Sequence, residues 1–309
     1  VVPASSMLHR LQTARDKFGW GLRVVGPAAS LAGLGRFFSI RMRRPDRSEV
    51  HLRSGPVLEF DYPRQFPPTL MIFGDFIDPE FDFLKRVARP GWLVVDVGAA
   101  IGQFTAFTAT CLPDAFVHAF EPSSANVATL RRNITRNRVE GRVAIHHEAL
   151  ADHAGTAQFE TTSDTWNSGL VRDEAEHGNT EIVTLNTLDA RLDVLGIAHL
   201  NVLKVNVAGF EPAVLDGAMR TLSEGRVDIL ILLLGLASLP YYATIAALGY
   251  RCFYYHPGEQ SLFEVTEFDE ASVLNHRPWP ARHLIVIRAE ALPGLLAGLV
   301  TVQPAKAGP

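Results

Sequence analysis

The rhythm of hydrophobic and polar positions changes near Trp92. Beyond it, continuous apolar runs alternate with amphipathic stretches, the pattern of strands buried on both faces beneath covering helices. WLVVDV, AFVHAF, RVAIHHE, NVLKVNV and VDILILLL predict five strands, with helices near 101–111, 123–137, 209–222 and 239–248. Tyr250–Tyr255 and His283–Arg288 add two more, separated by a long polar loop, and are expected to pair as an antiparallel hairpin at a sheet edge. Together these elements predict an α/β fold with a doubly wound, seven-stranded sheet. Gly155–Asn186 reads as an insertion, two strand-like pieces (GTAQFE and EIVTL) around a polar loop, and loops of that length are often functional.

Upstream, the pattern is weaker. Apolar residues near helical spacing in 1–20 are interrupted by Gly26-Pro27, and short alternating runs from Val50 to Phe73 predict a few strands of a small cap. Residues 78–88 read as a helix, with Asp78 as N-cap and Pro79 in the first turn. The expected division is a basic lead-in and cap over 1–77, a main domain over 78–290, and a C-terminal helix with a flexible tail over 291–309, the final TVQPAKAGP being expected to be disordered.

Composition sharpens this picture in three ways. With 47% hydrophobic and 20% charged residues in 309, the chain carries enough apolar surface for a sizeable core, so dominant disorder is excluded. Cys111 and Cys252 have no Cys or His at ligand spacing, which excludes a disulfide framework or zinc knuckle and favours a reducing, cytoplasmic location. The longest apolar run, Ile229–Leu239, is about half of a membrane span, so a soluble, unexported protein is expected. The Asn133-Ile-Thr135 sequon is set aside for the same reason.

Charge is uneven. Residues 1–55 hold ten Lys or Arg against three Asp or Glu, whereas the whole chain has a net charge of -4. Arg36, Arg41, Arg43, Arg44 and Arg47 flank Leu31, Leu34, Phe37, Phe38 and Ile40, a composition suited to a peripheral membrane or protein contact and equally to a solvated helix face. A nucleic-acid partner is not expected, and the oligomeric state is not legible.

The candidate chemistry begins at VVDVGAAIGQFT, residues 94–105. A strand ending in Asp96 turns through Gly98 and enters a helix near Gly102, where open α/β sheets bind ligands. Ala100 occupies the middle position of what would be G-x-G-x-x-G, which weakens a dinucleotide reading. AFEP ends the next strand with Glu121, where a carboxylate can accept both ribose hydroxyls of an adenosine or cap the following helix.

The chain resembles the FkbM family of S-adenosylmethionine-dependent methyltransferases. The resemblance runs from about Asp78 to Arg288 and rests on VVDVGAAIGQFT, AFEPSSANVATLRRNI, EALAD at 148–152, TLD at 187–189, LKVNVAGFEPAVLDGA at 203–218 and LGY at 248–250. It implies a class I, Rossmann-like methyltransferase fold with a small N-terminal extension, and S-adenosylmethionine as cofactor. By that resemblance Asp96, Gly98, Ala99 and Gly102 shape the methionine pocket, Glu121 holds the ribose, and Ala149 and Asp152 lie where adenine contacts are expected. The implied activity is O-methylation of a carbohydrate or secondary metabolite, with a small-molecule or glycan acceptor.

The sequence departs from the family pattern Lys-Ile-Asp-Val-Glu-Gly-Ala-Glu at the end of the fourth strand, where it has Lys204, Val205, Asn206, Val207, Ala208, Gly209, Phe210 and Glu211. An amide can hydrogen-bond a hydroxyl but cannot take its proton. Glu211, Asn206 and Lys204 are the candidate catalytic residues. Glu211 is equally suited to complementing a helix dipole, and Lys204 to an ion pair at the sheet end. No metal ligand is assigned. Loop 161–169 is a candidate sugar grip, and His146, His147 or Asp164 are candidate proton acceptors. The departure also motivates an alternative: a noncatalytic methyltransferase-fold protein acting as a binding or assembly partner.

Overall fold

The computed structural model describes residues 25–74, 78–161, 169–170, 179–233, 239–268, 283–297 and 300–303, together with Gly19 and Leu22. After a helix at Pro27–Arg43, strands β1 (Arg47–His51) and β2 (Val57–Asp61) form an antiparallel hairpin. β3 (Leu93–Val97), β4 (Phe116–Phe120) and β5 (Val143–His146) follow, each linked to the next through a helix, Gln103–Cys111 and then Ser124–Arg136. The short β6 (Ala149–Leu150), β7 (Gly155–Thr161), β8 (Gly169–Leu170) and β9 (Asn179–Asn186) make a separate four-stranded sheet in the order β6-β9-β7-β8. β10 (Leu200–Val205), β11 (Val227–Leu233), β12 (Tyr250–His256), β13 (Ser261–Val265), β14 (His283–Arg288) and β15 (Thr301–Gln303) complete the main sheet.

That sheet has the order β15-β13-β12-β14-β11-β10-β3-β4-β5. β11, β10, β3, β4 and β5 run parallel, as continuous apolar runs require when both faces are covered. Alternate residues feed opposite cores. Val94, Val117, Val202 and Ile229 meet Phe81, Phe83 and Phe107 on one face, while Val95, Val97, Leu203 and Leu230 meet Leu215, Leu222 and Tyr242 on the other. The chain leaves β3 toward β4 on one side, and β10 leads to β11 on the other. The crevice of the sheet therefore opens at the carboxyl ends of β3 and β10.

All seven expected strands are present, and two more extend the sheet. β12 and β14 pair antiparallel as expected, but not at an edge, because β13 and β15 lie beyond β12. The tail was expected to be disordered, yet Thr301–Gln303 pairs with β13, and Ser261 Oγ and Thr301 Oγ1 lie 2.6 Å apart. A partner strand remote in sequence supplies that ladder, so local composition does not announce it. The helix expected over 209–222 breaks into Glu211–Asp216 and Met219–Ser223. It breaks where Gly217 presses on the chain: a Cβ there would lie 2.0 Å from the Ala151 carbonyl oxygen.

The front hairpin is joined to the main domain by side-chain amides. Asn133 and Asn137 exchange paired hydrogen bonds with the backbones of Glu59 and Val57, and Arg132 pairs with Glu59 and Asp61. Asn133 is fully buried, which closes its sequon to modification. Leu58, Phe60 and Met71 pack against Ile101 and Ala106, so the hairpin and the helix Pro68–Phe73 share a core with the helix Gln103–Cys111. Among the described residues no helix is long and apolar enough to cross a membrane.

Candidate active site

A cavity of about 440 Å³ opens at the crevice, within the usual range of ligand pockets (~300–1,000 Å³). One wall is the turn after β3. Gly98 holds φ +76°, and a Cβ there would lie 2.2 Å from the carbonyl oxygen of Asn206, so the two strand-end loops touch at a place only glycine permits. Asp96 lies beneath this turn, fully buried and outside the cavity wall. The β3–β10 register sets it opposite Lys204, whose Nζ donates to Asp96 Oδ1 at 2.8 Å and to the Gly98 carbonyl at 3.2 Å. Thr105 donates to Asp96 Oδ2 at 2.6 Å. Lys204 thus braces the turn as an ion pair. Gly102, at φ +93°, lets the helix start close against Leu130.

Glu121 directly follows β4, with its side chain on the cavity wall and 4% exposed. Its Oε1 accepts from Ser123 N and Asn126 Nδ2 at 3.0 and 3.1 Å, and its Oε2 accepts from Ala100 N at 2.9 Å. Burial holds its carboxyl above the usual carboxylate range; these hydrogen bonds oppose that shift and the Asp96 charge adds to it. A carboxylate offers about four acceptor sites, so three protein donors leave capacity for a ligand hydroxyl. Ala149 lines the cavity beside Leu150, Phe120 and Phe159, an apolar slot suited to a flat ring. Asp152 does not: it is exposed and paired with His153 at 2.7 Å.

Away from β4, toward β10 and β14, the cavity wall is polar. Asn206 lies there, its Nδ2 3.2 Å from His283 Nε2, and Asp78 and Glu80 line the same wall. Glu211 stays outside. Its carboxylate accepts from Val207 N and Gly209 N, both at 2.9 Å, and so fixes the loop that carries Asn206 and Ala208 rather than facing the cavity. Ala208 sits in the left-handed region at φ 52° within that loop.

The candidate histidines lie elsewhere. His146 stacks on Phe120 and His118, and His147 contacts the Pro122 carbonyl; neither lines the cavity. Asp164 and nearly all of the candidate sugar-gripping loop lie outside the described residues. Sequence reasoning missed Glu80 and His283, and assigned Asp78 to an N-cap. Asp78 instead accepts from Gln103 Nε2 at 2.9 Å, and the helix Glu80–Val87 starts after Pro79 without a side-chain cap. Asn126, Phe120, Leu150 and Phe159 were missed too, although Asn126 stands inside the AFEPSSAN motif.

The profile described as Methyltransferase FkbM domain matches residues 96–252, just over half of the chain. The chain belongs to the FkbM methyltransferase family. Over 71 residues the chain is 46% identical to the 31-O-demethyl-FK506 methyltransferase FkbM of Streptomyces tacrolimicus, 23% of this chain and 26% of that protein. The matched stretch thus spans about a quarter of that relative. Among solved structures, an rRNA methylase from Streptococcus thermophilus aligns with a TM-score of 0.40 and 14% identity, over 67% of this chain and 91% of that one. M. jannaschii TYW2 in complex with AdoMet aligns at 0.38 and 12%, over 78% and 84%. S-adenosylmethionine is the cofactor of an FkbM domain, and this cavity suits it. Glu121 would hold a ribose hydroxyl, the Gly98–Ala100 turn the methionine end, and the slot at Ala149 and Leu150 the adenine.

Proposed function

We propose that this FkbM-family protein is an S-adenosylmethionine-dependent O-methyltransferase acting on a hydroxyl of a carbohydrate or secondary metabolite. The observation that carries this reading is that one cavity is lined both by the turn and Glu121 and by Asn206, His283, Asp78 and Glu80. The name of the Streptomyces relative, which places a methyl group on oxygen, supports the same chemistry.

The cofactor supplies an electrophilic methyl group on a sulfonium sulfur. The protein must align an acceptor oxygen with it and accept or release the hydroxyl proton. Asn206, held by a loop that Glu211 fixes, can orient the hydroxyl through its amide but cannot take the proton. The carboxylates of Asp78 and Glu80 and the imidazole of His283 border the same space and, where no ligand engages them, can take the proton that Asn206 cannot. Glu211 is thus a positioning residue in this scheme.

Calorimetric titration with S-adenosylmethionine, followed by labelled-methyl transfer to a panel of polyhydroxylated acceptors, tests the proposal. Saturable binding and alkali-stable product label are expected, as an ether requires. If the Asn206 departure impairs the site, the Asn206→Asp, Ala208→Glu variant transfers about 10²- to 10⁴-fold faster with little change in cofactor affinity. Binding without transfer by either protein would favour the noncatalytic reading, and absence of binding would reject both.

A further inference from the structure

We infer that Asp78, Glu80 and His283 form a binding site for a divalent cation at the acceptor end of the cavity. Asp78 and Glu80 flank Pro79 at the start of a helix, and His283 is the first residue of β14. The three are 4%, 3% and 6% exposed, and one ligand-type atom from each lies within 4.8 Å of the other two. In an octahedron of ~2.1 Å bonds, neighbouring vertices stand about 3 Å apart and opposite ones about 4.2 Å; the 2.7 Å between His283 Nδ1 and Glu80 Oε1 is close to the first spacing.

The decisive contact is between His283 and Glu80. His283 Nδ1 lies 2.7 Å from Glu80 Oε1, yet this buried ring nitrogen makes no hydrogen bond. A donor and acceptor at that distance should be aligned; two atoms placed side by side at an octahedral edge need not be. Among the described residues, no lysine or arginine forms an ion pair with Glu80, and Lys204 is engaged by Asp96. Two carboxylates and an imidazole gathered in one buried place are a donor set that a dication binds.

The surroundings support the ligands. Gln103 Nε2 orients Asp78. With a cation at Nδ1, the ring carries its proton on Nε2, which faces the Asn206 amide at 3.2 Å; turned by half a rotation, that amide presents its oxygen as acceptor. Metal-bound histidines commonly hold their second nitrogen in this way. Asn206 then serves as the outer partner of His283. One imidazole with two carboxylates favours a transition ion in the manganese to zinc range over calcium or magnesium. Three protein ligands leave positions open toward the cavity. Their occupation by acceptor oxygens rests on the O-methyl reading above, whereas cation binding itself does not.

The test uses the full chain, dialysed against chelator and titrated with manganese chloride by electron paramagnetic resonance. One saturable Mn²⁺ site per chain is expected, with paramagnetic broadening of the His283 ring resonance in histidine-labelled protein. Glu80→Gln and His283→Gln should each weaken Mn²⁺ at least about tenfold. Affinity for S-adenosylhomocysteine, contacted at the other end, should change less than about twofold. Should either variant fail to fold, the broadening at His283 in the unaltered protein decides the matter. No Mn²⁺, Co²⁺ or Zn²⁺ binding at millimolar concentration, or binding that leaves the His283 resonance sharp, would overturn the inference. Loss of S-adenosylhomocysteine binding with Mn²⁺ binding intact would instead reject the cofactor reading and leave the cation site standing.

Discussion

The two ends of the cavity are built in opposite ways. At the cofactor end, the ionisable groups are committed to the protein's own frame: Asp96 to Lys204 and Thr105, Glu121 to three N–H donors. At the acceptor end, Glu80, His283 and Asn206 face one another across short gaps, with Asp78 beside them. The first end is a cradle whose backbone shape is fixed before a ligand arrives. The second presents side chains whose arrangement a ligand can complete. Preorganisation by backbone suits the cofactor, while side-chain diversity suits an acceptor, whose identity varies among enzymes sharing one fold.

The largest effect is expected where backbone shape alone matters. Gly98→Ala forces a Cβ to within 2.2 Å of the Asn206 carbonyl at a φ of +76°, so the two loops must part. Thermal melting should show a loss of about 1–3 kcal/mol, and calorimetry a cofactor affinity reduced at least about a hundredfold. Unchanged affinity in this variant would break the view of the cradle as a rigid shape.

A smaller loss is expected at Glu121. Replacing it with Ala should cost about 1–3 kcal/mol of cofactor affinity, roughly five- to 150-fold, if its carboxylate receives a ribose hydroxyl. Because burial raises its pKa, acidification through that raised value converts the acceptor to the neutral acid and should weaken binding. Glu121→Gln should flatten this pH dependence. A profile identical in the two proteins would assign the ribose to another group.

The smallest effect separates both ends from the rest of the sheet. His118 and His146 stack at 5.2 Å, and burial lowers each pKa to about 4 from an ordinary 6.5, with mutual repulsion adding to the shift of His118. Both are therefore neutral in the folded protein over a range in which the unfolded chain takes up protons. Their contribution to stability is complete above about pH 6.5 and is lost as pH falls toward 4. Glu121, whose folded pKa is raised, acts in the opposite direction: its ionisation becomes costly as pH rises. Thermal midpoints of His118→Phe should fall less steeply with acid than those of the natural protein, with cofactor affinity near neutral pH unaltered. An equal slope would show that the histidine pair does not carry this acid sensitivity.

Legibility followed the same division. VVDVGAAIGQFT and AFEP each span one strand end and the turn after it, so hydrophobic rhythm and glycine placement revealed both the strands and the turn. Lys204 opposite Asp96 follows from parallel registry of two recognisable strands. Glu211 was harder to read. An acidic residue in a helix's first turn fits a dipole, a base or a loop fastener alike, and only its contacts with Val207 N and Gly209 N distinguish them. Asp152 sits in a motif segment but points to solvent, which no local pattern predicts.

The sequence alone determined the alternation of buried strands and covering helices, the left-handed turn at Gly98 and the carboxylate that follows β4, because each is a property of a few consecutive residues. Tertiary structure decided the addition of β13 and β15, the break at Gly217 and the meeting of Asp78, Glu80, Asn206 and His283. The last four come from three segments separated by more than a hundred and by more than seventy residues. Side chains that share no periodicity, turn or motif become neighbours only when the sheet brings β10 and β14 to either side of β11 and the helix after Pro79 packs on the face of that sheet.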